Sequence, residues 1–471
     1  EMSNGAILDL TNAPEKYKGL MSWEKLISES QERNVLVIKP ENLEKVMEIC
    51  RHYGVSATKM ANFTDDGYYH VKDHDQTVVY LPMDFRNQGL PQMEIKSHWI
   101  PPEVYEPELP ILQDLTQTAL DLLGRPNIQS FDWVSTRYDY EVRGGSFLKP
   151  LAGPGKGKNN AIAYRPVLTE KEIVIESSGS NPWQGDIDSY HQGINGVVDA
   201  IGRTIAAGGS MDQLTFNGNL TCPKPENDEY IAAQVMRLLK GASDAELAFG
   251  TPRISGKDST SLEREVLNTE TNEIETVKAK PELMMSSLCV IPDESTITST
   301  DFKLARDLIY LVGDTRDELG GSEYYLMKGE TGANVPKSDS DELKPRYQTV
   351  VDAVKSGVVH SAQYLEKGGL WAGLANSAIG GRLGAEIDLT PISNGLERAD
   401  KILFSQTTGR FLVTVHPENK KYFEKQMEGI YTEQIGVVNE TNNVDVTYMG
   451  KQTIKTEVDN MKFMNQGEIK H

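Results

Sequence analysis

The chain repeats itself. Gly5–Leu10 (Gly-Ala-Ile-Leu-Asp-Leu) is matched near the far end by Gly384–Leu389 (Gly-Ala-Glu-Ile-Asp-Leu). Lys25–Arg33 resembles Lys401–Arg410, and Val35–Asn42 resembles Phe411–Asn419. Arg33 and Arg410 lie 377 positions apart (410 − 33), as do Pro40 and Pro417 (417 − 40). Self-similarity of this kind requires one supersecondary unit to be built more than once. In each copy an apolar run predicts a strand, then a turn, then a helix opening at Pro-Glu-Asn, where the fixed φ of proline suits the first helical turn. The second copy is preceded by an apolar helical pattern, Leu370–Ile379, after Gly368-Gly369, whereas four residues precede Gly5. The expectation is a chain that begins inside its first domain, after that domain's first strand and helix.

Strands alternating with helices along the rest of the chain predict an α/β (α+β) architecture. At 471 residues there is room for about three domains of roughly 150 residues each. Residues 1–95 read as a partial domain ending in two strands, near Tyr68–His74 and Thr77–Leu81. Residues 96–127 read as a proline-punctuated linker with a helix over Leu112–Leu123. Residues 128–300 form a central domain, with strands near Ala161–Tyr164, Ile173–Ser177 and Leu283–Ile291 and helices over Tyr190–Ala207 and Tyr230–Ala245. Residues 301–471 form the last domain, opened by a buried strand at Leu308–Val312.

There are 48 basic and 69 acidic residues, a net charge of −21. Such a field disfavours nucleic acid and anionic membranes and leaves only local basic groups to hold phosphates. The three cysteines, Cys50, Cys222 and Cys289, form no Cys-x-x-Cys pair. This argues against a disulfide framework or a structural zinc site and for a reducing compartment, so a cytoplasmic location is expected. No apolar run approaches the ~20 residues of a membrane span.

The stretch most suited to chemistry is Phe249–Thr260 (Phe-Gly-Thr-Pro-Arg-Ile-Ser-Gly-Lys-Asp-Ser-Thr). Two glycines, a proline and small hydroxyl residues predict a tight loop whose N–H groups could approach a phosphate. Lys257 adds a cation, Asp258 a metal or hydroxyl contact, and Ser259 a short donor. The spacing is not that of a P-loop, since five residues separate Gly250 from Gly256 and Asp258 stands where a hydroxyl is needed.

Several collinear stretches together resemble the large, synthetase subunit of the phosphoribosylformylglycinamidine (FGAM) synthase family. They are Ser28–Arg33, Tyr138–Val142 followed by Lys149-Pro150-Leu151, Ser255–Ser259, and Ile309–Gly313 with Asp317–Tyr325. The resemblance implies tandem AIR synthase-like units, each a mixed-sheet first domain and an α/β sandwich second domain. By this analogy residues 1–95 are the second part of the first unit, and 128–300 and 301–471 the two parts of the second unit. The implied reaction is a step of purine biosynthesis. ATP activates the amide oxygen of formylglycinamide ribonucleotide (FGAR), ammonia displaces the phosphate, and an amidine forms. The cofactors implied are ATP and Mg²⁺. The partners implied are the N-terminal half of the same synthetase, a glutaminase subunit and a small bridging subunit. Glutaminase chemistry needs a cysteine nucleophile, and none of the three cysteines sits in a Gly-Cys-Gly elbow.

Carried over residue by residue, Glu29, Ser30, Gln31 and Ser259 would bind the substrate, and Asp212, Gly256 and Lys257 the nucleotide. No catalytic residue is expected within this chain, because the family's histidine and main Mg²⁺ carboxylates lie in the first part of the first unit. The second copy departs from the family's pattern. Gln363, Tyr364, Leu365 and Glu366 replace a His-Asp-x-Ser run, and Asp199 and Arg203 replace a Glu…Asn pair. A metal site there is not expected. His191 and His360 read as surface histidines. The alternative reading is a non-catalytic nucleotide-binding or assembly subunit of the same type of complex.

Overall fold

The computed structural model describes residues 3–29, 33–137, 140, 142 and 144–466. Of the stretches read above, Ser30, Gln31, Glu32, Tyr138, Asp139 and Glu141 lie outside the described residues. The chain divides into two compact units, residues 1–94 and 95–471.

The first unit holds one mixed sheet. Its strands are β1 (Ala6–Asp9), β2 (Ala61–Phe63), β3 (Tyr68–Asp73) and β4 (Gln76–Pro82), in the order β2-β1-β3-β4. β1 runs parallel to β3, with Ala6 opposite Tyr69 and Asp9 opposite Lys72, and antiparallel to β2. Helices follow at Ser22–Ile27 and, after a Pro40–Asn42 turn, at Leu43–His52. The strand expected after Arg33 does not form: residues 33–39 pair with no strand among the described residues, and Val35 is 91% exposed.

In the second unit a short β5 (Ser146–Leu148) precedes a two-stranded ladder of β6 (Leu151–Ala152) and β7 (Gly157–Lys158). Then come β8 (Ile162–Tyr164), β9 (Ile173–Gly179), β10 (Leu214–Thr221), β11 (Arg253–Ser259), the hairpin β12 (Glu263–Asn268) and β13 (Glu273–Lys278), and β14 (Glu282–Ile291). Six of these form the central sheet, in the order β11-β10-β14-β9-β8-β5. The helices Gly185–Ala206 and Glu229–Phe249 both pack their small and apolar residues into its core, among them Ala200, Ile201, Leu238 and Ala242.

The loop expected over Phe249–Thr260 is mostly strand. Gly250 does turn the chain, in the left-handed conformation (φ 73°), and caps the preceding helix by donating its N–H to the Glu246 carbonyl. From Arg253 the backbone extends as β11, parallel to β10, with Asn217 opposite Ser255 and Thr221 opposite Ser259. Strand pairing thereby takes up backbone groups that a phosphate-cradling loop would leave free.

The last sheet has seven strands: β15 (Leu308–Val312), β16 (Val359–Tyr364), β17 (Gly384–Asp388), β18 (Phe411–Val415), β19 (Thr432–Asn439), β20 (Asn443–Tyr448) and β21 (Lys451–Glu457). Their order is β16-β18-β15-β19-β17-β20-β21. β17 runs parallel to β20 and antiparallel to β19, and β20 is antiparallel to β21. The order β19-β17-β20-β21 therefore has the same pairing senses as β2-β1-β3-β4. β18, which corresponds in sequence to the segment after Arg33, is fully buried between β15 and β16. Those two strands have no counterpart among the described residues of the first unit, and this is why residues 33–39 remain unpaired.

Candidate functional site

On the exposed edge of the central sheet, β10 and β11 bring three of the expected residues together. Gly256 lies opposite Gly218, Lys257 opposite Asn219, and Ser259 opposite Thr221. Lys257 Nζ donates to Ser259 Oγ. A Cβ at Gly256 would stand 3.3 Å from the Gly218 carbonyl, so the strands approach closely there. Asp212 is not part of this group. It lies in the turn that precedes β10, six positions before Gly218 and outside the paired strand. Glu29 belongs to the first unit, where it is exposed just after the helix Ser22–Ile27.

Beneath the strip formed by Asn217 and Ser255, a cavity of about 580 Å³ opens in the second unit, with Lys158, Arg203 and Ser177 among its walls. Lys158 was not expected here. Its ammonium sits 4.4 Å from the centre of the Phe131 ring. Burial, reinforced by Arg203 and Lys367 and opposed by Glu366, pushes its pKa down to about 8. The signal for it in the sequence is only a Gly-Lys-Gly-Lys-Asn-Asn stretch whose glycines permit the short β6–β7 ladder.

Behind Arg203 lies a buried polar network. Arg203 donates from Nε to the Asn160 carbonyl at 2.7 Å and from Nη1 to the Ser178 carbonyl at 3.1 Å, and pairs with Glu366 at 3.4 Å. Asn160 in turn accepts the Tyr364 N–H at 2.9 Å. Asp199 accepts from Asn181 at 2.7 Å and from the Tyr364 hydroxyl at 2.8 Å. Burial, then repulsion from Glu366, pushes its carboxyl up to about 6 despite these bonds. Glu366 moves the other way: burial works against its charge, but Arg203, Lys367 and Lys158 hold it below the usual range.

The remaining titratable candidates stand apart. His360 Nδ1 lies 2.9 Å from Asp307 Oδ2. His191 is held below its ordinary value by burial, and Cys222 is fully buried with its thiol pushed up. Among the described residues no group of three or more His, Cys, Asp or Glu is placed to hold a metal. The carboxylates nearest the departures from the family pattern, Asp199 and Glu366, already have Asn181, Tyr364 and Arg203 as partners. Lys257, a cation bonded to Ser259, offers no ligand to Mg²⁺. These residues do not fit a resident metal.

Comparison with known proteins agrees with this geometry. Residues 1–74 and 306–449 match the family described as AIR synthase related protein, C-terminal domain. The first segment contains β2-β1-β3 and the second contains β19-β17-β20, which share one strand order. Over 74% of the chain the fold is similar to that of PurL from Thermotoga maritima complexed with FGAR, with a TM-score of 0.55, 16% identity and 53% of that chain covered. Phosphoribosylformylglycinamidine synthase II from the same organism gives 0.54, 16% and 51%, and PurL complexed with ATP gives 0.52, 15% and 51%. The chain thus spans about half the length of the structures it resembles, and at this identity the likeness is one of fold. Among the described residues no helix is long and apolar enough to cross a membrane.

Proposed function

We propose that the chain is part of an ATP-dependent C–N ligase of the FGAM synthase type, acting in purine biosynthesis on FGAR with ammonia drawn from glutamine. The observation that carries this reading is the shared strand order of β2-β1-β3-β4 and β19-β17-β20-β21, whose first three strands in each case lie within the two segments matched by one family. On this reading the chain holds parts of two tandem units. The strip of Gly256, Lys257 and Ser259 faces nucleotide and substrate. Gly256 lets the backbone approach ATP, Lys257 supplies positive charge beside a phosphate where the short form of the family has a metal-binding Asn, and Ser259 contacts FGAR. Glu29, Ser30 and Gln31 belong to the substrate side. Asp212, as a nucleotide contact, is the weakest of these assignments, because it sits at the opposite end of β10. Mg²⁺ would be held by carboxylates of a separate N-terminal half of the synthetase, with a glutaminase subunit and a small bridging subunit completing the assembly.

The test is FGAM formation from FGAR, ATP and ammonia by these 471 residues, with and without an N-terminal half from a related synthetase. Activity is expected only from the pair. Turnover by the chain alone, or none from any pairing while ATP still binds, would reject the reading; the second result would favour a non-catalytic nucleotide-binding subunit.

A further inference from the structure

A second cavity, of about 140 Å³, lies in the second unit between the start of the helix Gly185–Ala206 and the turn at Gly321. None of the residues assigned above to substrate or nucleotide lines it. Its polar groups are fixed by partners behind them. Asn181, Gln184 and Gln406 are all more than nine-tenths buried. Asn181 uses its Nδ2 on Asp199, and Gln184 uses its Oε1 on Asn195, each at 2.7 Å. Gln406, with its amide oxygen turned toward them, accepts from the N–H groups of Gly368 and Glu323 at 3.1 Å. The Asn181 oxygen and the Gln184 nitrogen are thereby left for an occupant.

Charge narrows the occupant further. Three ionised side chains line the space: Glu282, Glu323 and Lys367. Glu323 is already neutralised by Arg125 at 2.9 Å, with Asn127 on its other oxygen. Lys367 and Glu282 are anchored at the two ends of one residue. Lys367 Nζ donates to the Ser180 carbonyl at 2.9 Å, and the Ser180 hydroxyl donates to Glu282. One cation and one anion therefore remain, with no net charge between them. A lone anion would meet Glu282 and a lone cation would meet Lys367, each with like-charge repulsion in a partly desolvated space. A dipolar molecule satisfies both.

We propose that this cavity binds a small α-amino acid zwitterion, its carboxylate on Lys367 and its ammonium on Glu282. The size agrees: an apolar cavity of roughly 150 Å³ accommodates benzene, a molecule of six heavy atoms, which is the class of glycine and alanine. The polar walls are held in place before binding, so little side-chain ordering is required. Gly321 sets one wall. In the left-handed conformation (φ 72°), it brings its backbone so near that a Cβ there would stand 2.9 Å from the Gln184 backbone nitrogen. This inference does not depend on the ligase reading.

Calorimetry on the 471-residue chain tests it, with glycine, alanine, leucine, acetate and methylammonium as probes. Glycine and alanine should bind saturably, and acetate, methylammonium and leucine at least tenfold more weakly. Lys367→Met and Glu282→Gln should each weaken glycine at least tenfold. Absence of saturable binding by both small amino acids overturns the proposal, as does acetate or methylammonium binding as tightly as glycine. Should a variant fail to fold, the discrimination by the unaltered chain decides alone.

Discussion

The Thr11 hydroxyl accepts the backbone N–H of His74 at 2.8 Å. Far along the chain the Thr390 hydroxyl accepts the N–H of Met449 at 3.0 Å. The surroundings agree atom for atom. The N–H groups of Thr11 and Thr390 each donate to the aspartate two residues back, Asp9 or Asp388, at 2.9 Å. Leu10 and Leu389 each donate to the parallel neighbour strand, at Lys72 and Thr447. His74 and Met449 both take positive φ, 55° and 49°. The junction that ends β1 and β17 is therefore one device used in both units, and it ties a strand end to the turn after the strand beside it.

Removing the hydroxyl should loosen that tie. Thr11→Val keeps the shape and deletes the acceptor, leaving the His74 N–H to solvent. The bond is exposed, so the cost falls at the low end of the ~0.5–1.5 kcal/mol range for a hydrogen bond. Amide hydrogen exchange should show faster exchange at His74 in Thr11→Val and at Met449 in Thr390→Val. Unchanged exchange at both would mean the hydroxyls do not hold the turns.

A second expectation concerns residues 33–39. Val35, Leu36 and Val37 are 91%, 66% and 57% exposed, whereas the matching Phe411–Val415 is buried between two strands. If the chain is part of a two-unit synthetase, a polypeptide supplying the equivalents of β15 and β16 should convert this segment into a strand. Adding such a polypeptide should slow exchange at residues 34–39 by several orders of magnitude, as strand amides become protected. Exchange that stays fast in a formed complex would contradict the duplication reading.

Much of this architecture is legible in the residues. The strands at Ile173–Gly179, Glu282–Ile291 and Leu308–Val312 carry strong apolar patterns, and they form where the pattern places them. The two long helices form likewise. What misleads is local composition. The run Phe249–Thr260 reads as loop; Gly250 and Pro252 keep to that reading, but from Arg253 through Gly256 pairing with β10 overrides propensity. The hairpin β12–β13 is mostly exposed and buries none of its four apolar residues, Val266, Leu267, Ile274 and Val277, so no core-facing periodicity announces it. The run after Arg33 errs in the opposite sense: its residues suit a strand, yet a strand needs neighbours that sequence alone does not supply. Lys158 and Glu282 stay hidden for a related reason, since part of their surroundings comes from segments more than a hundred residues away, Lys367 for Lys158 and Ser180 for Glu282.

Lys158 should be the most reactive lysine at mildly basic pH. With its pKa pushed down to about 8, half of it is neutral at pH 8, against well under roughly 1% for an ordinary lysine near 10.4. Trace acetylation at pH 8 followed by peptide mass spectrometry should label Lys158 ahead of other lysines of similar exposure. Phe131→Ala admits water to the ammonium and should raise its pKa and slow that labelling. Equal labelling of Lys158 and other lysines of similar exposure would show that the cavity does not desolvate it.

Asp199 should make stability fall as pH rises. Its carboxyl is pushed from 3.8 up to about 6 by burial and by Glu366. Between those values the folded state holds a proton that the unfolded state has released, so stability is fully present below the unfolded pKa and is lost as pH rises through about 6. At 1.36 kcal/mol per unit, the contribution lost between pH 4 and 7 is at most about 3 kcal/mol. Asp199→Asn removes the titration while keeping an oxygen for Tyr364 or Asn181. Urea unfolding at pH 4, 5, 6 and 7 should therefore show the variant gaining on the unaltered chain as pH rises, most steeply around pH 5, midway between the two values, and levelling off above about 6. A difference that stays constant across this range would mean that Asp199 is ionised throughout, with Asn181 and Tyr364 outweighing its burial.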